Sequence, residues 1–149
     1  MSDPKPPGWL KPMNKVMMAI QKLGIAAGPV RVLTVVGRKS GRPRSTPATP
    51  FTLDGNVYVA GGYLRADWVL NARAAGEGMV TRGRSSERVA FVELTAEQAK
   101  PVLRAFPKQV PAGVGFYKRA GLVTEGNPDE FEALAGRCAV FRLDPVTTP

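Results

Sequence analysis

The apolar positions of this sequence predict a β-rich centre that is preceded by a helix. Before residue 30 they recur every three or four residues, the spacing of one helix face: Met13, Val16, Met17, Ile20, Leu23. Pro12 and Gly24 are residue types that open and close helices. Residues 31–36 are instead mostly β-branched or apolar, which favours a strand. The pattern therefore changes from helix to strand close to residue 30.

More β-favouring segments follow the first strand and are separated by turn residues: 45–53, 57–60, 79–82, 88–94, 137–143. Pro47 and Pro50 place the first of these at a sheet edge or on a bulge, because proline cannot donate a hydrogen bond to a neighbouring strand. The Asp-Gly-Asn turn at 54–56 leads into the next strand, and residues 83–86 connect a hairpin. Six or so strands with inserted helices indicate a mainly β fold with α, a small, partly open barrel.

Two helix starts in the second half of the chain carry capping signals. Residues 95–98 (Thr-Ala-Glu-Gln) form a capping box, and we expect this helix to end near Phe106 because Pro107 follows. Residues 127–130 (Asn-Pro-Asp-Glu) begin another helix, with acidic side chains on the positive end of its dipole. We expect that helix to end near Gly136.

Length and charge limit the domain count and the kind of ligand. The 149 residues fit one domain, which we place at 12–149, preceded by a flexible arm over the proline-containing residues 1–11. The net charge of +9 is high for this size and implies attraction to a negatively charged partner. The helix at 12–24 is too short and too charged to span a membrane or to resemble a signal peptide.

The chain has no histidine and a single cysteine, Cys138. The Ser-His-Asp triad, histidine bases and nearly all transition-metal sites are therefore excluded, and we expect no metal. No disulfide can form within the chain, which favours a reducing, cytoplasmic location. Cys138 lies in an apolar run and is expected to be buried and inert. If the protein is an enzyme, a cofactor carries the chemistry.

A basic loop lies between the first two predicted strands: Gly37-Arg38-Lys39-Ser40-Gly41-Arg42-Pro43-Arg44. Its glycines let a ligand approach backbone amides, and arginine and lysine bind phosphate or carboxylate. This composition suits a polyanion. A solvated hairpin tip is the alternative, since basic clusters occur on many surfaces.

The loop is also the first of three ordered motifs. Pro47 completes it, Asp54-Gly55 follows, and Asp67-Trp68-x-x-Asn71 is the third, on a short helix predicted over 66–75. This set resembles the deazaflavin (F-420)-dependent oxidoreductases of the nitroreductase type over residues 31–94. The resemblance implies a split β-barrel related to the flavin-mononucleotide-binding barrels, with an N-terminal helix and inserted helices.

The resemblance also implies roles for individual residues. The loop would hold the phosphate and the glutamate tail of coenzyme F-420 through Arg38, Lys39, Ser40, Gly41 and Arg44. Pro47 would flank the deazaflavin ring, and Trp68 and Asn71 would belong to the same pocket. Without the resemblance, Trp68 is equally well explained as a core anchor and Asn71 as a cross-link to backbone.

The function implied is hydride transfer from reduced F-420 to a small apolar acceptor, namely a quinone, an enone or a nitro compound. Tyr117 is the candidate catalytic proton source, beside Phe116 and Lys118. The alternative is a non-catalytic binder of fatty acid or deazaflavin at the membrane surface. A nucleic-acid-binding barrel is disfavoured, because residues 37–44 contain no aromatic side chain for base stacking.

The helix at 12–24 keeps two interpretations. Lys15 and Lys22 lie off its apolar face, so it could rest on an anionic membrane surface, which would make the protein peripheral on the inner face of the cell membrane. The other interpretation is that the apolar face covers the end of the core.

Overall fold

The computed structural model describes residues 30–146, which form a curled antiparallel sheet with helices on its faces. Seven strands are found in this part of the chain: β1 (Arg31–Val36), β2 (Pro43–Ala48), β3 (Phe51–Leu53), β4 (Asn56–Ala60), β5 (Glu77–Arg82), β6 (Ser85–Glu93) and β7 (Val140–Pro145). Their order across the sheet is β2-β1-β5-β6-β7-β4-β3.

The two edge strands of this sheet, β2 and β3, are consecutive in the sequence. Only Thr49 and Pro50 separate them, so the last residue of β2 and the first of β3 are at most about 11 Å apart. In a flat sheet of this order, six strand spacings would separate the edges by roughly 29 Å. The sheet must therefore curl into a split barrel. The prediction of one strand over residues 45–53 was wrong, because Thr49-Pro50 divides it into two edge strands.

Four α-helices and one 3₁₀ turn are found within residues 30–146: α1 (Asp67–Ala75), α2 (Ala96–Gln109), the 3₁₀ turn (Pro111–Gly113), α3 (Val114–Arg119) and α4 (Pro128–Glu132). Both predicted helix starts are confirmed, and each forms a capping box. The Thr95 hydroxyl accepts the Gln98 N–H at 3.2 Å and Asn127 Oδ1 accepts the Glu130 N–H at 2.9 Å.

Three predicted boundaries differ from the structure. The helix that begins at 96 passes through Pro107 to Gln109, because four of its side chains are buried on one face and the Val110 N–H still bonds to the Phe106 carbonyl at 2.7 Å. The last helix ends at Glu132 rather than near Gly136. The β5–β6 hairpin turns through two residues, since Arg82 pairs with Ser85.

Two clusters of buried hydrophobic side chains form the core of residues 30–146. One lies between the sheet and helices α2–α4 and includes Phe51, Leu103, Phe106, Phe131 and Val140. The other lies inside the curled sheet under α1: Leu33, Val35, Val59, Val69, Phe91, Phe141.

The predicted flexible arm (1–11) and the predicted helix (12–24) lie outside the described residues. Among residues 30–146, no helix combines the length and the hydrophobicity needed to cross a bilayer.

Candidate functional site

A basic cleft of about 540 Å³ opens beside the β1–β2 loop. The apolar side chains of Leu33 and Val35 on β1 form its floor, and the start of α1 forms the facing wall. The polar and charged groups that line it are Arg38, Lys39, Ser40, Arg44, Ser45, Thr46, Asp67, Asn71. Gly41 of the predicted set lies in the loop but does not line the cleft.

The loop is held in shape by its own hydrogen bonds. The Gly37 N–H donates to the Arg42 carbonyl at 2.7 Å, and the Gly41 N–H donates to the Gly37 carbonyl at 2.9 Å. The Ser40 hydroxyl accepts the Arg42 N–H at 3.2 Å. A Cβ at Gly37 would lie 2.8 Å from this hydroxyl, so only glycine fits there without displacing it.

The buried Asn71 side chain connects α1 to this loop. Its Oδ1 accepts the backbone N–H of Arg38 at 3.1 Å and the Arg38 Nη1–H at 2.8 Å. The Asp67 carboxylate lies further away, 3.5 Å from Arg38 Nη2. Arg38 is therefore bound to the α1 wall by a neutral amide more closely than by a carboxylate.

The other cations of the loop have no carboxylate partner in the part of the chain that the structure describes. Within residues 30–146, Lys39, Arg42 and Arg44 form no ion pair, whereas Arg38 and five arginine or lysine side chains outside the loop do. Helix α1 also begins at the cleft without a side-chain cap, so its first N–H groups add positive potential there. This donor set fits a phosphate and a carboxylate-bearing tail.

An apolar cleft of about 450 Å³ lies next to the basic one. None of its lining residues is charged: Thr46, Pro47, Ala48, Thr49, Ala60, Gly61, Gly62, Tyr63, Ala66, Trp68, Phe106, Val110, Gly113, Phe116, Tyr117. They come from β2, the end of β4 and the segment that joins it to α1, from α1 itself, and from α2, the 3₁₀ turn and α3. The cleft suits an uncharged apolar molecule.

Thr46 and Trp68 line both clefts, so the two adjoin. The Trp68 ring also packs on Phe141, with the ring centroids 5.8 Å apart. Trp68 is thus both a wall of the site and an anchor against the core, and the two interpretations made from sequence do not exclude each other. Pro47 lines only the apolar cleft.

Tyr117 lies at the inner end of the apolar cleft and is only 3% exposed. Its ring packs on Phe106 and Phe131 at centroid distances of 5.1 and 5.0 Å. Burial raises the pKa of its hydroxyl far above the usual range, and a hydrogen bond with the Gly62 backbone opposes this weakly. The phenol therefore stays protonated at physiological pH.

Phe116 and Tyr63 form the outer wall of the apolar cleft. Phe116 is 46% exposed, and its ring meets Tyr63 edge to face at 6.2 Å. Sequence reasoning missed Tyr63, Thr46 and the close approach at Gly62, where a Cβ would lie 2.9 Å from the Phe116 ring. In the sequence, the signal for this packing is the pair Gly61-Gly62 directly before Tyr63.

Cys138 takes no part in either cleft. Its thiol donates to the Gly62 carbonyl at 2.9 Å, and burial raises the pKa of that thiol to about 11. The prediction that Cys138 is buried is confirmed.

Comparison with known proteins gives one matching family and several similar structures. Residues 14–121 match the model of a family described as F420H(2)-dependent quinone reductase. A solved F420-H2 dependent reductase has a TM-score of 0.53 and 20% identity, covering 78% of this chain and 94% of its own. A solved domain-swapped dimer has a TM-score of 0.53 and 19% identity, covering 89% and 99%. No curated protein matches the sequence.

A more distant structure has the same architecture. PhzG from Burkholderia lata 383, solved with tetrahydrophenazine-1-carboxylic acid, has a TM-score of 0.52 and 14% identity, covering 97% of this chain and 82% of its own. At such identities the likeness shows the fold alone. The predicted split barrel is confirmed.

Proposed function

The chain belongs to the F420H(2)-dependent quinone reductase family and is therefore an oxidoreductase that uses F-420. We propose that its two clefts bind different parts of the cofactor and substrate. The phosphate and tail of F-420 bind in the basic cleft, the deazaflavin ring lies near Pro47 and Trp68, and an apolar acceptor occupies the apolar cleft. The adjacency of the two clefts at Thr46 and Trp68 is the observation that carries this proposal.

In the basic cleft, the guanidinium groups of Arg38 and Arg44 and the Lys39 ammonium would bind the anionic groups. The Ser40 hydroxyl accepts a loop N–H, which leaves its own O–H to donate. When bound, reduced F-420 supplies a hydride from one carbon of its ring. The protein needs only to hold an acceptor over that carbon and keep water out.

The acceptor is a quinone, on this proposal, rather than an enone or a nitro compound. The uncharged lining of the apolar cleft favours a flat, uncharged molecule, and all three acceptors share that character. The family description favours the quinone. Thr46 and Tyr63 supply hydroxyl groups in the cleft, which can hydrogen-bond a quinone carbonyl.

Tyr117 has a supporting role in this proposal. Its hydroxyl stays protonated because burial raises its pKa, so it can donate a hydrogen bond to charge that forms on the acceptor. Such a weak acid contributes modestly. Positioning of the acceptor between Trp68 and Phe116 contributes most.

The test is to follow the absorbance of reduced F-420 after mixing with the protein and a menaquinone analogue. Oxidation of the cofactor that depends on the quinone supports the proposal. A matched titration with flavin mononucleotide serves as control and should give weaker binding. Binding of F-420 without hydride transfer to quinone, enone or nitro acceptors would instead favour the carrier of deazaflavin or fatty acid.

Contact with a membrane through residues 12–24 stays a prediction. Sedimentation with anionic and neutral vesicles, with and without residues 1–24, tests it. Loss of anionic-vesicle binding on truncation would support the membrane role, and equal behaviour of all samples would favour the helix as a cover for the core.

A further inference from the structure

We propose that Asn71 is a positioning residue that orients Arg38 in the basic cleft without neutralising its charge. The inference rests on the proposed binding of the F-420 phosphate and tail in that cleft. It assigns Asn71 an action through Arg38 rather than only a direct contact with cofactor.

The hydrogen bonds define which end of the amide faces Arg38. Both Arg38 groups at Asn71 are donors, at 3.1 Å from the backbone nitrogen and 2.8 Å from Nη1, so the amide oxygen must face them. Asn71 is only 5% exposed, yet it lines the cleft. The fixed amide therefore holds both the loop and the guanidinium of one residue.

A neutral amide at this position has a consequence that a carboxylate would not have. A carboxylate would accept the same two hydrogen bonds but would cancel the charge that an anionic ligand needs. Asp67, the nearest carboxylate, lies 3.5 Å from Arg38, and its side chain is 92% exposed, so solvent weakens its attraction. Arg38 is thus held in place before binding while its charge remains available.

Besides orienting the Arg38 guanidinium, Asn71 joins the backbone of Arg38 to α1, and an experiment must separate these two roles. Replacing Arg38 by methionine removes the guanidinium and keeps both the side-chain stem and the backbone N–H. A double-mutant cycle of Asn71→Leu and Arg38→Met therefore distinguishes the two roles. Asn71→Asp provides a nearly isosteric variant that keeps the acceptor oxygen and adds a charge.

The readouts are the Kd for F-420 by fluorescence titration at several salt concentrations and the Kd for triglutamate by calorimetry in the absence of cofactor. We expect Arg38→Met to raise the Kd roughly tenfold to a hundredfold. Asn71→Asp should raise it comparably and make the salt dependence shallower, while its melting temperature stays near that of the unmodified protein. Asn71→Leu should weaken binding several-fold in the unmodified protein and have no effect in the Arg38→Met background.

Two results would overturn the inference. One is equal weakening by Asn71→Leu in both backgrounds, which would assign Asn71 to the backbone alone. The other is unchanged affinity for F-420 and triglutamate in Asn71→Asp. If Arg38→Met itself leaves the Kd unchanged, the proposed placement of the cofactor fails as well, so the two failures are distinguishable.

Discussion

The basic and apolar clefts have similar volumes, about 540 and 450 Å³, and share Thr46 and Trp68, but they are built in different ways. Most of the charge in the basic cleft comes from one loop of eight consecutive residues. The apolar cleft takes its lining from two strands, three helices and the segments between them, and it carries no charge. The charge of the basic cleft is thus a local feature of the chain, whereas the apolar cleft is a product of packing.

This difference determines how each cleft responds to change. The basic loop is held by short-range hydrogen bonds, so charge removal and salt should affect it without altering its shape. The apolar cleft depends on how α2 and α3 lie against the sheet, so changes of side-chain volume should affect it. Variants of single residues should therefore affect the two clefts separately.

Removing two charges from the loop should have the largest effect. Arg38→Ala combined with Lys39→Ala should weaken F-420 binding by about 1–3 kcal/mol for each residue, because charge-assisted hydrogen bonds are lost. The measurement is a fluorescence titration at low and high salt. Lys100→Ala with Arg104→Ala, on the exposed face of α2, removes the same charge and should leave the affinity nearly unchanged.

Trp68→Ala should damage both clefts, because this ring lines both. We expect weaker F-420 binding and a loss of about 2 kcal/mol in the free energy of unfolding, less than the roughly 3–5 kcal/mol of a fully buried ring. Titration and urea denaturation measure these. Trp68→Phe should recover much of the F-420 affinity and of the free energy of unfolding. Unchanged F-420 affinity in the alanine variant would show that Trp68 is not part of the binding site.

Tyr117→Phe should reduce turnover by at most about a hundredfold and leave F-420 affinity intact. The raised pKa of Tyr117 means that its phenol remains protonated as pH rises past 10, so it should produce no break in the pH–rate profile below that value. Steady-state rates with a menaquinone analogue test this, with Tyr58→Phe as the matched control because Tyr58 lines neither cleft. A profile that falls near pH 8–9 only when Tyr117 is present would contradict it.

Phe116→Ala should weaken binding of the acceptor without changing binding of the cofactor. Loss of this half-exposed ring should raise KM for a quinone roughly fivefold to tenfold, about 1–1.4 kcal/mol of apolar contact, with the Kd for F-420 unchanged. Leu64→Ala is a suitable control, because Leu64 is exposed nearby but does not line the cleft. A parallel loss of F-420 affinity in Phe116→Ala would show that the clefts do not act separately.

Glu130→Gln should leave both clefts unchanged and alter the stability of the fold and its dependence on pH. Four backbone N–H groups, from Thr124 to Asn127, bond to this carboxylate and lower its pKa. A lowered folded-state pKa stabilises the protein above the unfolded value of about 4.3, and the contribution is lost as pH falls through the folded pKa. Glu130→Gln should therefore lose stability at neutral pH and show a shallower acid transition, measured by circular dichroism.

Local signals in the sequence predicted local structure well. The helix starts after Thr95 and Asn127 are confirmed because their capping hydrogen bonds close within four residues. The end of α2 was predicted wrongly because Pro107 disfavours helix locally, while burial of the helix face outweighs that cost. The family and its cofactor were also recognised correctly from three short motifs.

The sequence by itself determined the basic loop, since its glycines, cations and hydroxyl act over eight consecutive residues. Only the tertiary structure decided what surrounds that loop. Asn71 meets Arg38 across 33 residues of chain, and Phe116 meets Gly62 across more than fifty, through the packing of α1 and α3. Composition and periodicity report which face of an element is apolar, but they do not report which elements face one another.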